Sequence, residues 1–165
     1  LDTLDKIFFT KGPGSYTAIR SIKALAQGMS VLSNAKVIAV DNFQIYLNSL
    51  KLRPEPKRVT VFFEDFGERY FMRDYTFSKK INYIPINDFE CLKLESLETK
   101  IEKTLKSNKE IVFVTDKSFI LNNRLENFRK EFEFIKPNAT SVANACFRGY
   151  GTENLDIIYH HTYYE

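Results

Sequence analysis

The residues of this 165-residue chain that could do chemistry are few. The most suggestive group is Gly12-Pro13-Gly14-Ser15, a glycine turn running into the start of a helix. Gly12 and Gly14 accept backbone angles that other residues resist. A helix start offers free N–H groups and a positive dipole end, which together can hold an anion. Phosphate binding is the chemistry such a corner could do. No Gly-Lys-Ser/Thr follows at Walker spacing, and the third glycine of a dinucleotide fingerprint is missing. Three readings stay open for the corner: a structural turn, an anion site, or part of a protein interface.

The other reactive groups point away from catalysis. The two histidines, His160 and His161, are neighbours near the C-terminus, and on a strand they face opposite sides, so no metal site is expected. They come last in the chain, and nothing around Ser15 forms a nucleophile elbow. Glu64 and Asp65 read as a solvated hairpin rather than an acid/base pair. Cys91 and Cys146 are far apart, with no second pair for zinc, so reduced cytosolic thiols are expected. The 24 Lys+Arg and 21 Asp+Glu give a net charge of +3. The cations are scattered, without the clustered face of a nucleic-acid binder, and 100–109 reads as a solvated helix face. There is no apolar run of membrane length, and no secretory signal is expected. No cofactor is expected, and the cytoplasm is the expected place of work.

Elements must hold that corner in place. With 15% aromatic residues and a small net charge, the chain should fold rather than stay disordered. Its size allows one sizeable core or two small ones. Lys6–Thr10 is a short apolar strand stopped by the glycine turn. Residues 15–32 form the strongest helix, with Ser15 as N-cap. Ala18, Ile22, Leu25, Met29 and Leu32 make an apolar stripe, expected to face the chain's own sheet. Tyr16, Arg20, Lys23 and Gln27 make a second, amphipathic stripe, expected to face a partner, because aromatic and arginine residues are enriched at interface hot spots. A strand at Lys36–Val40 and a helix at 42–50 follow, an alternation that argues for α/β layers with parallel pairing. Residues 51–58, with two prolines, read as a linker. Beyond it come a hairpin (59–63 and 68–75, turning near Gly67), an irregular stretch at 77–89 and a helix at 92–105. A strand at Ile111–Thr115, a helix at 121–132, a strand at 132–135, a helix at 139–148 and an extended tail at 157–164 complete the chain.

The segment Gly12-Pro-Gly-Ser-Tyr-Thr-Ala-Ile-Arg20 closely resembles the Gly-Pro-Gly-Ser-Phe-Thr-Gly-Leu-Arg motif of the TsaB (YeaZ) family, the bacterial threonylcarbamoyladenosine biosynthesis subunits. Ala24, Ala26 and Gly28 fall in register with that family's next helix, and Val37-Ile-Ala-Val40 is similar to its next strand. Gly67-Glu-Arg-Tyr70 resembles the Gly-Glu-Val-Tyr that opens its second half. Detailed likeness covers about the first third of the chain. Ala18 replaces a glycine and Tyr16 a phenylalanine. The family's closing Tyr-Leu-Arg would fall around Tyr159-His160-His161 and is not preserved. The chain opens at Leu1, so the family's first strands and helix are expected to be missing. Without those roughly 55 residues, Lys6–Thr10 would become an exposed apolar edge that something else must cover.

The resemblance implies the two-lobed actin-like ATPase (ribonuclease H-like) α/β fold, its first lobe incomplete at the N-terminus. Residues 1–52 would belong to the first lobe and 53–165 to the second, with 139–165 able to pack back on the first. It implies a non-catalytic scaffold that binds a TsaD-type catalytic subunit in threonylcarbamoyl transfer to the adenosine beside the tRNA anticodon. A TsaE-type ATPase would be a further partner, tRNA would be met only through the complex, and a homodimer could form in isolation. Tyr16, Ile19, Arg20, Lys23 and Gln27 are the expected partner contacts; Gly12, Pro13, Gly14, Ser15 and Thr17 form the turn. The competing expectation is a degenerate actin-like ATPase or phosphotransferase that holds phosphate at Gly12–Ser15. A metallopeptidase-like role and a self-associating, partner-free module are weaker alternatives.

Overall fold

A computed structural model of the chain describes residues 4–52, 54–65, 69–80, 82–107, 110–116 and 126–159. His160, His161, Gly67, most of the aromatic tail and the first half of the helix expected at 121–132 lie outside the described residues. The chain divides into two compact units, 1–48 with 137–165, and 49–136.

The first unit is built on two strands. β1 (Lys6–Thr10) and β2 (Lys36–Val40) pair in parallel, residue for residue from Lys6↔Lys36 to Thr10↔Val40, as the alternating sequence pattern requires. The crossover between them is α1 (Tyr16–Ser33), capped by Ser15, whose hydroxyl accepts from the Ala18 N–H, and closed by Asn34 in the left-handed conformation. Successive strand side chains point to opposite faces. Ile7, Phe9, Val37 and Ala39 meet Ala26 of α1 and Leu155 on one face. On the other, Val40 packs with Ile45 of α2 (Asn42–Ser49) and with Val142, Ala145, Cys146 and Tyr150 of the C-terminal region. That region is α4 (Ala139–Ala145), started by an Asn138–Ser141 capping box, followed by a π turn at Cys146–Tyr150. Residues 151–159 then return across the unit, Thr152 exchanging both backbone hydrogen bonds with Ala39 at 2.9 Å.

The second unit carries a sheet in the order β5 (Asn82–Pro85), β4 (Arg69–Ser78), β3 (Arg58–Glu64), β7 (Ile111–Thr115), β8 (Phe132–Phe134), with β6 (Glu90–Lys93) also paired to β4. β3 (Arg58–Glu64) and β4 (Arg69–Ser78) are the antiparallel pair expected from sequence; β7 (Ile111–Thr115) runs parallel to β3, and β8 (Phe132–Phe134) parallel to β7. α3 (Leu94–Ser107) lays Leu97, Ile101 and Leu105 against Phe62, Tyr70, Met72 and Phe113. The stretch expected to be irregular contains two strands, β5 (Asn82–Pro85) and β6 (Glu90–Lys93). Pro85 is compatible with β5 because it ends an edge strand, where a missing N–H breaks no ladder. In place of the end of the helix expected at 121–132 there is a 3-10 turn at Glu126–Glu131.

Candidate functional site

The glycine corner is fastened from two sides. Gly12 has φ +102°, a region L side chains rarely adopt, and a Cβ there would stand 2.8 Å from the Ile158 carbonyl oxygen and 3.1 Å from Ile19 Cδ1. Asn42, the first residue of α2, donates its backbone N–H to the Gly12 carbonyl at 2.8 Å and its side-chain Nδ2–H to the Pro13 carbonyl at 2.7 Å. The Thr10 hydroxyl donates to Asn42 Oδ1. From the other side the Ile158 N–H donates to the Lys11 carbonyl at 2.9 Å. Gly12 and Pro13 are buried as a result. A phosphate cradle needs its turn N–H groups open to solvent, whereas here the chain's own backbone carbonyl lies over Gly12. Asn42 was not singled out from the sequence; its place just after the Lys36–Val40 strand, in an Asp-Asn pair suited to starting a helix, is the signal that could have found it.

The helix that the corner launches is turned differently from expectation. Its inward seam is Ile19 and Ala26, 4% and 3% exposed and two turns apart, with Lys23 half-buried between them. Most of the stripe expected to face inward lies outside: Ile22 is 40%, Leu25 64% and Leu32 69% exposed, Ala18 is exposed too, and Met29 alone of the five is half-buried. The reason is the width of the support. Two strands touch only a narrow strip of helix, and the small Ala26 lets the helix sit close to Phe9 and Ala39. Ile19, expected as a partner contact, is instead core, packed beneath Gly12 and Gly14. Tyr16, Arg20 and Gln27 are exposed, as is Thr17, and Val31 is 82% exposed. Arg20 donates to the Tyr16 hydroxyl and lies over its ring, 4.9 Å from the centroid; Tyr159 packs on the same tyrosine with ring centroids 5.0 Å apart.

α1 therefore presents two outward faces, one apolar (Ala18, Ile22, Leu25, Leu32) and one aromatic and cationic (Tyr16, Arg20). Large aliphatic side chains left in water forgo about 1.5–3 kcal/mol each of burial. Among the described residues no group of three or more His, Cys, Asp or Glu is placed to hold a metal ion. Burial raises the thiol pKa of both Cys91 and Cys146, the former also through the charge of Asp65, so both are protonated at neutral pH. No helix of the described residues is long and apolar enough to cross a membrane.

This architecture is the actin-like, ribonuclease H-like α/β fold. It is shared with YeaZ from Pseudomonas aeruginosa, at a TM-score of 0.61 and 15% identity over 95% of this chain and 75% of that one. A second solved structure, an uncharacterized protein with similarity to peptidase YEAZ from Pseudomonas aeruginosa, gives 0.59 and 15% over 92% and 70%. In sequence the chain is 26% identical over 140 residues to the tRNA threonylcarbamoyladenosine biosynthesis protein TsaB of Buchnera aphidicola. That match takes in 84% of this chain but 62% of the relative, so the chain spans less than two thirds of that protein. Residues 1–63 match the family model described as TsaD: tRNA N6-adenosine threonylcarbamoyltransferase. In motif, sequence and fold the chain is similar to TsaB (YeaZ) proteins.

Proposed function

We propose that this chain is a non-catalytic subunit of tRNA threonylcarbamoyladenosine biosynthesis, and that it binds a TsaD-type catalytic subunit through α1. One observation carries the reading: an eighteen-residue helix, launched from the family's motif, buries only Ile19 and Ala26 and turns Tyr16, Ile22, Leu25, Val31 and Leu32 outward. Apolar surface gathered on one element favours a protein partner over solvent. The similarity to TsaB supplies the process, and the closed corner at Gly12 and Pro13 favours presentation of the helix over phosphate chemistry. In this reading tRNA is met only through the complex, a TsaE-type ATPase joins as a further protein, and the isolated chain pairs with itself through the same helix.

The test is titration calorimetry against the cognate TsaD-type subunit, with wild type and a Tyr16→Ala/Leu25→Ala double variant of two exposed residues. Wild type should bind, and the double variant should lose about 2–4 kcal/mol of affinity while its circular dichroism stays native. Equal affinity of the two would reject this face, and absence of wild-type binding would reject the subunit role.

A further inference from the structure

Residues 151–159 are held to the first unit by more than their one backbone pairing. Gly151 sits where a Cβ would come within 2.5 Å of Ile38 Cγ2 and 3.1 Å of Cys146 Sγ, so the segment leaves the π turn flush against β2. Asn154 and Asp156 fold local turns through Thr152 Oγ1 at 3.0 Å and Asn154 Oδ1 at 2.8 Å. Leu155 enters the core beside Phe9 and Ala26, and the Ile158 N–H is tied to Lys11. These anchors fix where Tyr159 lies: on the ring of Tyr16, the planes 38° apart.

Three side chains from two distant parts of the chain thus make one exposed cluster. Tyr16 is 45% and Tyr159 39% exposed, and Arg20 is exposed beside them. The Tyr16 hydroxyl takes one N–H of the Arg20 guanidinium. Four of its five donors remain. Among the described residues no carboxylate lies within ion-pair distance of Arg20. α1 as a whole carries Arg20 and Lys23 and no Asp or Glu. A guanidinium lying over an aromatic ring, with its remaining donors free, can take a carboxylate through two parallel hydrogen bonds.

We propose that Tyr159, Tyr16 and Arg20 form a carboxylate-recognition patch that grips an acidic side chain on the partner's docking surface. The inference rests on the partner-subunit reading above. Arg20 is the donor, and Tyr159 is a positioning residue that acts through Tyr16. The complement of α1 is then an apolar surface bearing Asp or Glu.

The experiment titrates the cognate TsaD-type subunit with wild type, Arg20→Gln, Arg20→Lys, Tyr159→Ala and Tyr159→Phe, at low and high salt. Arg20→Gln should bind about tenfold more weakly and flatten the salt dependence, since a charge pair is lost. Arg20→Lys should recover only part of the affinity, because an ammonium lacks the fork. Tyr159→Ala should weaken binding severalfold and Tyr159→Phe should restore it, with every thermal midpoint at the wild-type value. Wild-type binding with Arg20→Gln and Tyr159→Ala both unaffected overturns the patch alone. Absence of wild-type binding overturns the subunit reading and the patch together.

Discussion

Asn42 holds Pro13: its Nδ2–H donates to the Pro13 carbonyl at 2.7 Å, while its backbone N–H reaches the neighbouring Gly12 carbonyl. One residue at the start of α2 thereby holds two successive carbonyls of the turn between β1 and α1. Replacement of Asn42 by Ala removes the side-chain bonds to Pro13 and Thr10 in a part-buried place, and should cost about 1–3 kcal/mol in urea unfolding. An unchanged midpoint would show that the corner is held by its backbone alone.

The glycines of the motif and of the helix should respond in opposite senses. At Gly12 a methyl meets the Ile158 carbonyl and the backbone sits at positive φ, so Gly12→Ala should destabilise the chain by about 1–3 kcal/mol or more. At Gly28, inside α1, nothing lies within 4 Å of the added carbon. Gly28→Ala should stabilise the isolated chain by about 0.5–1 kcal/mol through backbone entropy. Thermal melts of the two variants decide this; destabilisation by Gly28→Ala would mean that the helix packs differently from the geometry described.

Leu25 and Leu32 give the isolated chain a reason to associate with itself. Leu25→Glu with Leu32→Glu removes two side chains that are 64% and 69% exposed, so folding stability should barely change. Light scattering over a concentration series should show wild type gaining mass with concentration and the double variant remaining monomeric. Concentration-dependent mass that persists in the variant would move self-association to another surface.

Alkaline pH should loosen the fold through its thiols. Burial raises both cysteines above the ordinary value of 9.0, with Asp65 adding to the effect at Cys91 and Arg69 opposing it. The unfolded chain then releases these protons first, so stability present below that value falls as pH rises through it. Between about pH 8 and about pH 10 the wild-type urea midpoint should drop further than that of a Cys91→Ser/Cys146→Ser variant. Equal drops would assign the loss to other groups, with Tyr83, whose pKa burial also raises, the first to examine.

Local features of the fold were legible in the sequence, and long-range ones were not. The strands at Lys6–Thr10 and Lys36–Val40, their parallel pairing and the Ser15 cap follow from short apolar runs, a crossover helix and a cap residue. The inward face of α1 did not follow. Ile22, Leu25 and Leu32 form the more apolar stripe, but a two-stranded support chose Ile19 and Ala26. The burial of Ile19 removes one expected contact, while Tyr16, Arg20 and Gln27 stay exposed. The return of Thr152 to Ala39, and of Tyr159 to Tyr16, joins residues more than a hundred positions apart with no periodic signal to announce it. β5 and β6 were hidden because each is four residues long and takes its order from β4.

Amide hydrogen exchange along α1, with and without the cognate TsaD-type subunit, decides whether this helix is the docking element. Residues 16–33 should exchange more slowly in the complex, most of all in the turns that carry Tyr16, Arg20 and Leu25. Binding that leaves the exchange of α1 unchanged and protects only the second unit would contradict the account.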